Sequence, residues 1–263
     1  MANSSKAKAV PPIDPVNLPG HIAVIMDGNN RWTKENGKRG LSGHKAGADS
    51  ARNLLKLCVK NDIPFLTLFV FSSENWNRPE SEVKGLMSLF LGVLKKSEIE
   101  KLHAQNIKLK FIGRRDRFSK KIINLMESAE RLTENNNKLT VLVAADYGGK
   151  WDIANAAKVI AKGVVDKKIK LEEISDETVN QAISTHGIPE PDLCIRTGGD
   201  NRISNFLLWQ FAYTELYFTE TYWPDFDEIQ FNKALKEYQS RERRFGKKSK
   251  KNNSLKNRGT SDA

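Results

Sequence analysis

The run His21-Ile-Ala-Val-Ile-Met-Asp27-Gly28-Asn29-Asn30-Arg31-Trp32 ends an apolar stretch on one carboxylate and surrounds that carboxylate with donors. A continuous apolar run reads as a strand buried on both faces, and ligands of open α/β sheets bind just beyond the carboxyl ends of such strands. A carboxylate there, with no second acid beside it, suits one hard divalent cation shared with a phosphate-bearing ligand. An ordinary Asp-Gly turn would explain this motif equally well if it stood alone. Two more polar clusters of the same character accompany it: Ser72-Ser73-Glu74-Asn75-Trp76-Asn77-Arg78-Pro79, and Arg196-Thr197-Gly198-Gly199-Asp200 with Arg202-Ile203-Ser204-Asn205 just after. Guanidinium forks, hydroxyls, carboxamides and backbone amides freed by glycine are the groups that hold diphosphates. The sequence shows no catalytic triad, nucleophilic cysteine, zinc-ligand spacing, GxxxxGK[ST] or GxGxxG, so the usual nucleotide cradles are absent.

These clusters need elements to carry them. Strand-like runs occupy 21–27, 65–72, 107–113, 138–147 and 193–197, with a sixth at 215–219. Helical stretches lie near 44–61, 81–105, 116–135, 149–165, 176–185 and 227–244. Alternation of strand and helix predicts a single α/β domain with a mostly parallel six-stranded sheet covered on both faces. Each polar cluster leaves the carboxyl end of a strand, so the three can converge on one cleft. Within 81–105, Val83, Leu86, Met87, Phe90, Leu91 and Leu94 recur at helical spacing. That stripe faces strands two and four and could wall an apolar tunnel; for any one of its residues, ordinary core packing is the commoner role.

Composition bounds the rest. The chain has 263 residues and a net charge of +11, but from Arg241 onward nine basic residues stand against two acidic ones, a surplus of seven. The rest of the chain carries only about four positive charges, which argues against a specific nucleic-acid partner. The tail itself has no apolar period and reads as a disordered segment, able to touch an anionic membrane surface at roughly 1 kcal/mol per nearby cation. Cys58 and Cys194 sit in apolar contexts and read as reduced core thiols, as expected in the cytoplasm. MANSSKAKAV lacks the apolar core of a secretory signal, and no apolar run approaches the length of a membrane span. The expected organisation is a flexible 1–17, a domain over 18–246 and a basic tail over 247–263.

HIAVIMDGNNRW, GHKAG, FVFSSENWNRP, the Arg196-Thr-Gly-Gly-Asp200-x-Arg202-Ile203-Ser204-Asn205-Phe run and the late Glu-Leu-Tyr-Phe and Trp-Pro-Asp segments resemble the cis-prenyltransferases, above all the bacterial undecaprenyl diphosphate synthases. The likeness covers roughly residues 18 to 246 in order. It implies a butterfly-like α/β homodimer with an apolar tunnel. It also implies Mg²⁺-dependent, repeated condensation of isopentenyl diphosphate onto farnesyl diphosphate with new cis double bonds. The product would be a polyprenyl diphosphate of about C55, the precursor of the lipid carrier for cell-wall glycans. Such an enzyme would be cytoplasmic, with transient contact at the inner face of the plasma membrane.

Carried over position by position, the resemblance makes Asp27 the essential acid that holds Mg²⁺ and helps the allylic diphosphate depart. Gly28, Asn29, Asn30 and Arg31 would grip that diphosphate, with Trp32 and His44 nearby. Ser72, Ser73 and Glu74 belong to the second loop, where Asn75 would assist proton removal, Trp76 would cover the prenyl chain and Arg78 would support the loop. Glu82 would anchor the loop as it closes. Arg196, Arg202, Ile203 and Ser204 would serve isopentenyl diphosphate, and Glu215 would reach the metal from a partner subunit. At Gly40, within the expected substrate-binding stretch, an arginine is usual; either Arg39 reaches the diphosphate from one step away or one phosphate contact is weakened. Asn30, Asp146, Asp200 and Asn201 depart as well. Rival readings fit less well. A haloacid-dehalogenase-type phosphatase needs an acid at Asn29, a trans-prenyltransferase needs DDxxD, and a noncatalytic subunit or basic binding protein would not need Asp27, Asn75 and Arg78 together.

Overall fold

The computed structural model describes residues 13–241. The basic tail expected over 247–263 lies outside them, as does most of the expected flexible segment 1–17. Six strands form one sheet: β1 (His21–Ile25), β2 (Phe65–Ser72), β3 (Ile107–Ile112), β4 (Leu139–Tyr147), β5 (Leu193–Arg196) and β6 (Glu215–Phe218). Their order is β3-β4-β2-β1-β5-β6, and every neighbouring pair is parallel. All six strands therefore release their carboxyl ends along one edge. The chain runs from β1 to β2 on one side and later to β5 on the other, so a crevice opens between the β1 and β5 ends, where α/β sheets take their ligands. Asp27 follows β1 and Arg196 ends β5, which puts both at that crevice.

Among the described residues eight α-helices cover the sheet: α1 (Asn29–Glu35), α2 (Ser42–Lys60), α3 (Glu80–Val93), α4 (Lys96–Ala104), α5 (Lys120–Thr133), α6 (Gly149–Val165), α7 (Asp176–Ala182) and α8 (Glu228–Ser240). Alternate strand residues serve opposite faces. Ile22, Val24, Leu66 and Leu68 pack into the larger core with α2–α5 and α8, while Ala23, Ile25 and Leu142 join Tyr147, Phe206 and Leu207 in the smaller one. Cys58 and Cys194 are free and buried, and burial pushes the Cys194 thiol up to about 12. Both are inert at neutral pH.

The single helix expected over 81–105 is two helices, interrupted at Leu94–Lys95, where Lys95 takes an extended backbone (ψ 142°). Phase explains the break. An unbroken helix carrying Phe90 and Leu94 inward would next turn Ser97, Glu98 and Lys101 into the core. Interruption lets the stripe resume on Ile99 and Leu102 instead, both packed in the larger core. Between these helices, α2 and the β2–β4 face lies a cavity of about 990 Å³. Its barrel is lined by Leu55, Phe90, Leu94, Leu102, Leu109 and Val143, and its mouth by the three polar loops. Among the described residues, no helix is long and apolar enough to cross a membrane.

Candidate active site

Asp27 is delivered by the strand end and held from behind. Its amide donates to Thr197 Oγ1 (3.0 Å), and the same hydroxyl donates to the Asp27 carbonyl (2.8 Å), stitching the β1 and β5 ends together. The next residue must be glycine. Gly28 has φ 100°, and a Cβ there would lie 2.6 Å from the Tyr222 ring. The turn lets the Gly28 amide donate to Asp27 Oδ1 at 2.6 Å. Gly198 meets the same demand on the opposite loop: at φ 87° its Cβ would come within 3.0 Å of the Asp27 backbone.

Asp27 is not a lone acid, contrary to the sequence-based expectation. Arg196 Nη2 bridges Asp27 Oδ2 (2.9 Å) and Asp200 Oδ2 (3.2 Å), and Arg31 Nη2 stands 3.4 Å and 3.8 Å from the same two carboxylates. Burial alone would raise the Asp27 pKa. The hydrogen bonds from Arg196 and Gly28, with the charges of Arg196 and Arg31, outweigh it and hold the carboxyl below its usual range. The carboxylate is therefore ionised at neutral pH. Asp200 belongs to the third polar cluster of the sequence, Arg196 to Asp200, which was expected to converge with the Asp27 loop, though no metal or catalytic role was assigned to it.

The arginines divide by exposure. Arg196 is 4% exposed and spends Nη1 on Ser204 Oγ (2.7 Å) and the Arg202 carbonyl, leaving Nε buried without a partner. Arg202 is 63% exposed and Arg31 45%, so these two are the cations that face a ligand. Arg31 also lies over the Tyr222 ring, 5.6 Å from its centroid. His44 lines the cavity. Its pKa is lowered by burial and by the Arg78 charge, against a smaller opposing pull from Glu82, so the imidazole is neutral.

The second loop is tied on both sides. Ser72 donates its amide to Asn75 Oδ1 (3.0 Å), which leaves the Asn75 amide group for the cavity it lines. Arg78 Nη1 and Asn30 Nδ2 both donate to Glu82 Oε1, at 2.9 and 3.2 Å, so Glu82 joins the second loop to the first. Asn205 Nδ2 donates to Glu74 Oε1 at 2.8 Å and joins it to the third.

The cavity mouth collects Asp27, Gly28, Asn29, Asn30 and Arg31 from the first loop, Ser72, Asn75 and Arg78 from the second, and Arg196, Arg202 and Ser204 from the third. Other expected contacts lie elsewhere. Trp32 is buried and donates its indole N–H to Asp225 Oδ1 (2.8 Å), so it packs the first loop instead of touching the cavity. Trp76 does not line the cavity and packs its ring against Phe71 and Phe118. Ser73, Glu74, Glu82 and Ile203 support the loops without lining the cavity. Arg39 and Gly40 stand exposed on the α1–α2 connection. Glu215 begins β6, at the end of the sheet opposite Asp27, and pairs with Arg241 at 2.9 Å.

Among the described residues no group of three metal-ligating side chains occurs. Two half-exposed carboxylates at a phosphate-binding mouth fit a magnesium-like cation, which is held by one or two carboxylates and completed by phosphate and water. A closed all-protein cage is not what such an ion requires.

Comparison with known proteins agrees with this geometry. The prenyltransferase family model described as undecaprenyl diphosphate synthase matches residues 25–246. An isoprenyl transferase of Neisseria gonorrhoeae is 52% identical over 233 residues, 88% of this chain and 91% of that protein. A ditrans,polycis-undecaprenyl-diphosphate synthase of Pasteurella multocida, (2E,6E)-farnesyl-diphosphate specific, is 50% identical over 89% of this chain and 97% of its own length. The crystal structure of lavandulyl diphosphate synthase from Lavandula x intermedia, in complex with dimethylallyl diphosphate, superposes with a TM-score of 0.85 at 34% identity, covering 89% of this chain and 100% of that one. A charged mouth on an apolar barrel, in a sequence about half identical to the two bacterial enzymes over most of its length, means that the chain belongs to the undecaprenyl diphosphate synthase family of prenyltransferases.

Proposed function

We propose that the chain condenses isopentenyl diphosphate repeatedly onto farnesyl diphosphate to give a long-chain polyprenyl diphosphate, the precursor of the cell-wall lipid carrier. One observation carries the reading: a mouth built of Asp27, Asp200 and three arginines opens onto an apolar cavity of about 990 Å³. That shape suits an amphiphile with a diphosphate head and a growing hydrocarbon tail. Each five-carbon unit drawn into the barrel contributes roughly 4 kcal/mol, at about 0.8 per buried carbon.

In each cycle the C1–O bond of the allylic diphosphate breaks and diphosphate leaves. The terminal alkene carbon of isopentenyl diphosphate bonds to C1, and a proton departs from its C2 to form the new double bond. Charge accumulates on the leaving group, so fixed cations are the effective catalysts. Arg31 and the Gly28–Asn30 backbone grip the leaving diphosphate. Arg202 and Ser204 hold isopentenyl diphosphate, with Arg196 orienting Asp27 from behind. Asn75, its carbonyl spent on Ser72, keeps only N–H donors, so it assists proton removal by orienting the diphosphate, whose oxygen takes the C2 proton. Asp27 would hold the magnesium ion, which when bound supplies charge neutralisation of the leaving diphosphate. Within one chain Glu215 is remote from Asp27, so its part in metal binding requires a second copy, as in the homodimer the family likeness suggests. The domain spans 18–246, and the reading goes with a cytoplasmic enzyme that touches the inner face of the plasma membrane to release product.

The purified chain, given farnesyl diphosphate, radiolabelled isopentenyl diphosphate and Mg²⁺, should form long polyprenyl products resolved by thin-layer or mass analysis. Chelation should abolish them. Absence of any condensation product under these conditions would refute the reading.

A further inference from the structure

Asp146 is a completely buried carboxylate near the end of β4, with a left-handed backbone (φ 49°). The β2–β4 register explains how it is aimed. Phe71 pairs with Ala145 and Ser72 with Tyr147, which leaves Asp146 as an extra residue on β4. Such a bulge turns a side chain out of the regular alternation. Arg117 answers the carboxylate with two bonds, Nε to Oδ2 and Nη2 to Oδ1, both at 3.0 Å. The same guanidinium lies over the Trp76 ring, 5.5 Å from its centroid, while the ring packs against Phe71 and Phe118. Burial raises the Asp146 pKa, against the opposing pull of Arg117 and of the nearby Trp76 and Ser73, whose Nε1 and Oγ are buried without another partner. A carboxylate has about four acceptor positions, so Asp146 has room for both donors. Neither Asp146 nor Arg117 lines the cavity.

We propose that Asp146 and Arg117 are positioning residues: they form a buried socket that seats the Ser73–Asn77 turn through Trp76 and Ser73 and so fixes Asn75 at the mouth. Its kinetic consequence rests on the prenyltransferase reading; the socket itself does not.

The test uses full-length Asp146→Ala, Asp146→Asn and Arg117→Ala. Hydrogen exchange without ligand should accelerate about tenfold at residues 73–78 in the Asp146→Ala and Arg117→Ala proteins, while β1 and β5 keep their protection. In steady-state assays kcat should fall about thirtyfold with the KM for farnesyl diphosphate within about twofold. Asp146→Asn, which keeps an acceptor, should recover most of both losses. Unchanged exchange at 73–78, acceleration spread equally over the sheet, or an Asn protein no better than the Ala protein would each overturn the socket. Should Asp146→Ala not fold, Arg117→Ala, at a partly exposed partner, carries the same comparison. An inactive wild type would remove the prenyltransferase reading and leave the exchange measurement decisive for the socket.

Discussion

Asp27 stays ionised in a half-buried mouth because Arg196 and the Gly28 amide both bond its carboxylate. Asp27→Ala should lower turnover by several orders of magnitude. It should shift thermal stability little, because Asp200 still neutralises Arg196. Near-normal turnover in a folded protein would contradict the assignment. The arginines should separate in the same assays. Losing one charge-assisted phosphate contact costs roughly 1.5–3 kcal/mol, about ten- to hundredfold in affinity. Arg202→Ala should therefore raise the KM for isopentenyl diphosphate far more than that for farnesyl diphosphate, and Arg31→Ala the reverse. Arg196→Ala should differ from both, losing stability along with activity, because it leaves two facing carboxylates without the buried cation between them. If Arg202→Ala and Arg31→Ala raised both KM values equally, the division of the two diphosphate sites would fail.

At the scale of elements, the second loop stands at the mouth and the helix pair after it walls the cavity. Two side-chain hydrogen bonds among the described residues, Glu82 to Asn30 and Glu74 to Asn205, join that loop to the other two polar loops. Ligand that bridges the mouth should tighten it, so protection of residues 72–82 from trypsin or hydrogen exchange should rise with farnesyl diphosphate and Mg²⁺. Unchanged protection at saturating ligand would mark a static loop. The barrel makes its own prediction. Leu109→Trp places a large ring in the cavity wall between α4 and β4, and the products should shorten by several isoprene units while the first condensations persist. Unaltered product length would show that the chain grows elsewhere. The strands and most helices of this architecture were legible in the sequence to within a few residues, because buried parallel strands and amphipathic helices leave periodic signals. Other features left no such signal. Helix α1 is short and opens inside a loop motif, so Asn29–Glu35 looked like turn. The α3–α4 break carries no proline, and Gly92 in the last turn of α3 is a weak signal, so its place follows mainly from the phase of Ile99 against Phe90. The acid and arginines of the mouth were readable because each follows a strand end. The orientation of Trp32 and Trp76 was not, since an indole beside a polar loop can face either ligand or core, and here the core offers Asp225 to one and Phe71 and Phe118 to the other.

The whole molecule separates its polar work from its structural polar groups by the two ends of the sheet. Charge collects at the carboxyl edge, while at the opposite edge His21 is buried and uncharged. The Pro189 carbonyl can only accept, so His21 Nδ1–H donates to it (2.7 Å), and Nε2 must then accept from the Thr67 hydroxyl (2.7 Å). Both bonds require the neutral ring, and burial lowers its pKa from 6.5 to about 4, against smaller raising effects of the Pro189 bond and the Asp192 charge. Above pH 6.5 the ring is neutral folded or unfolded, and stability does not respond to it. Between 6.5 and 4 the unfolded chain takes up a proton that the native ring refuses, so stability declines as pH falls. Below 4 both states are protonated and the loss is complete. A pKa gap of this size corresponds to about 3 kcal/mol in total, at roughly 1.4 kcal/mol per pH unit. Urea unfolding of the wild type and of His21→Gln, which keeps a donor and an acceptor but cannot titrate, should give curves of stability against pH that run parallel above about pH 7. They should converge or cross by pH 4.5 as the wild type alone loses the histidine contribution. Parallel curves across the whole range would mean that His21 is protonated in the native state and that its two hydrogen bonds are not those of a neutral ring.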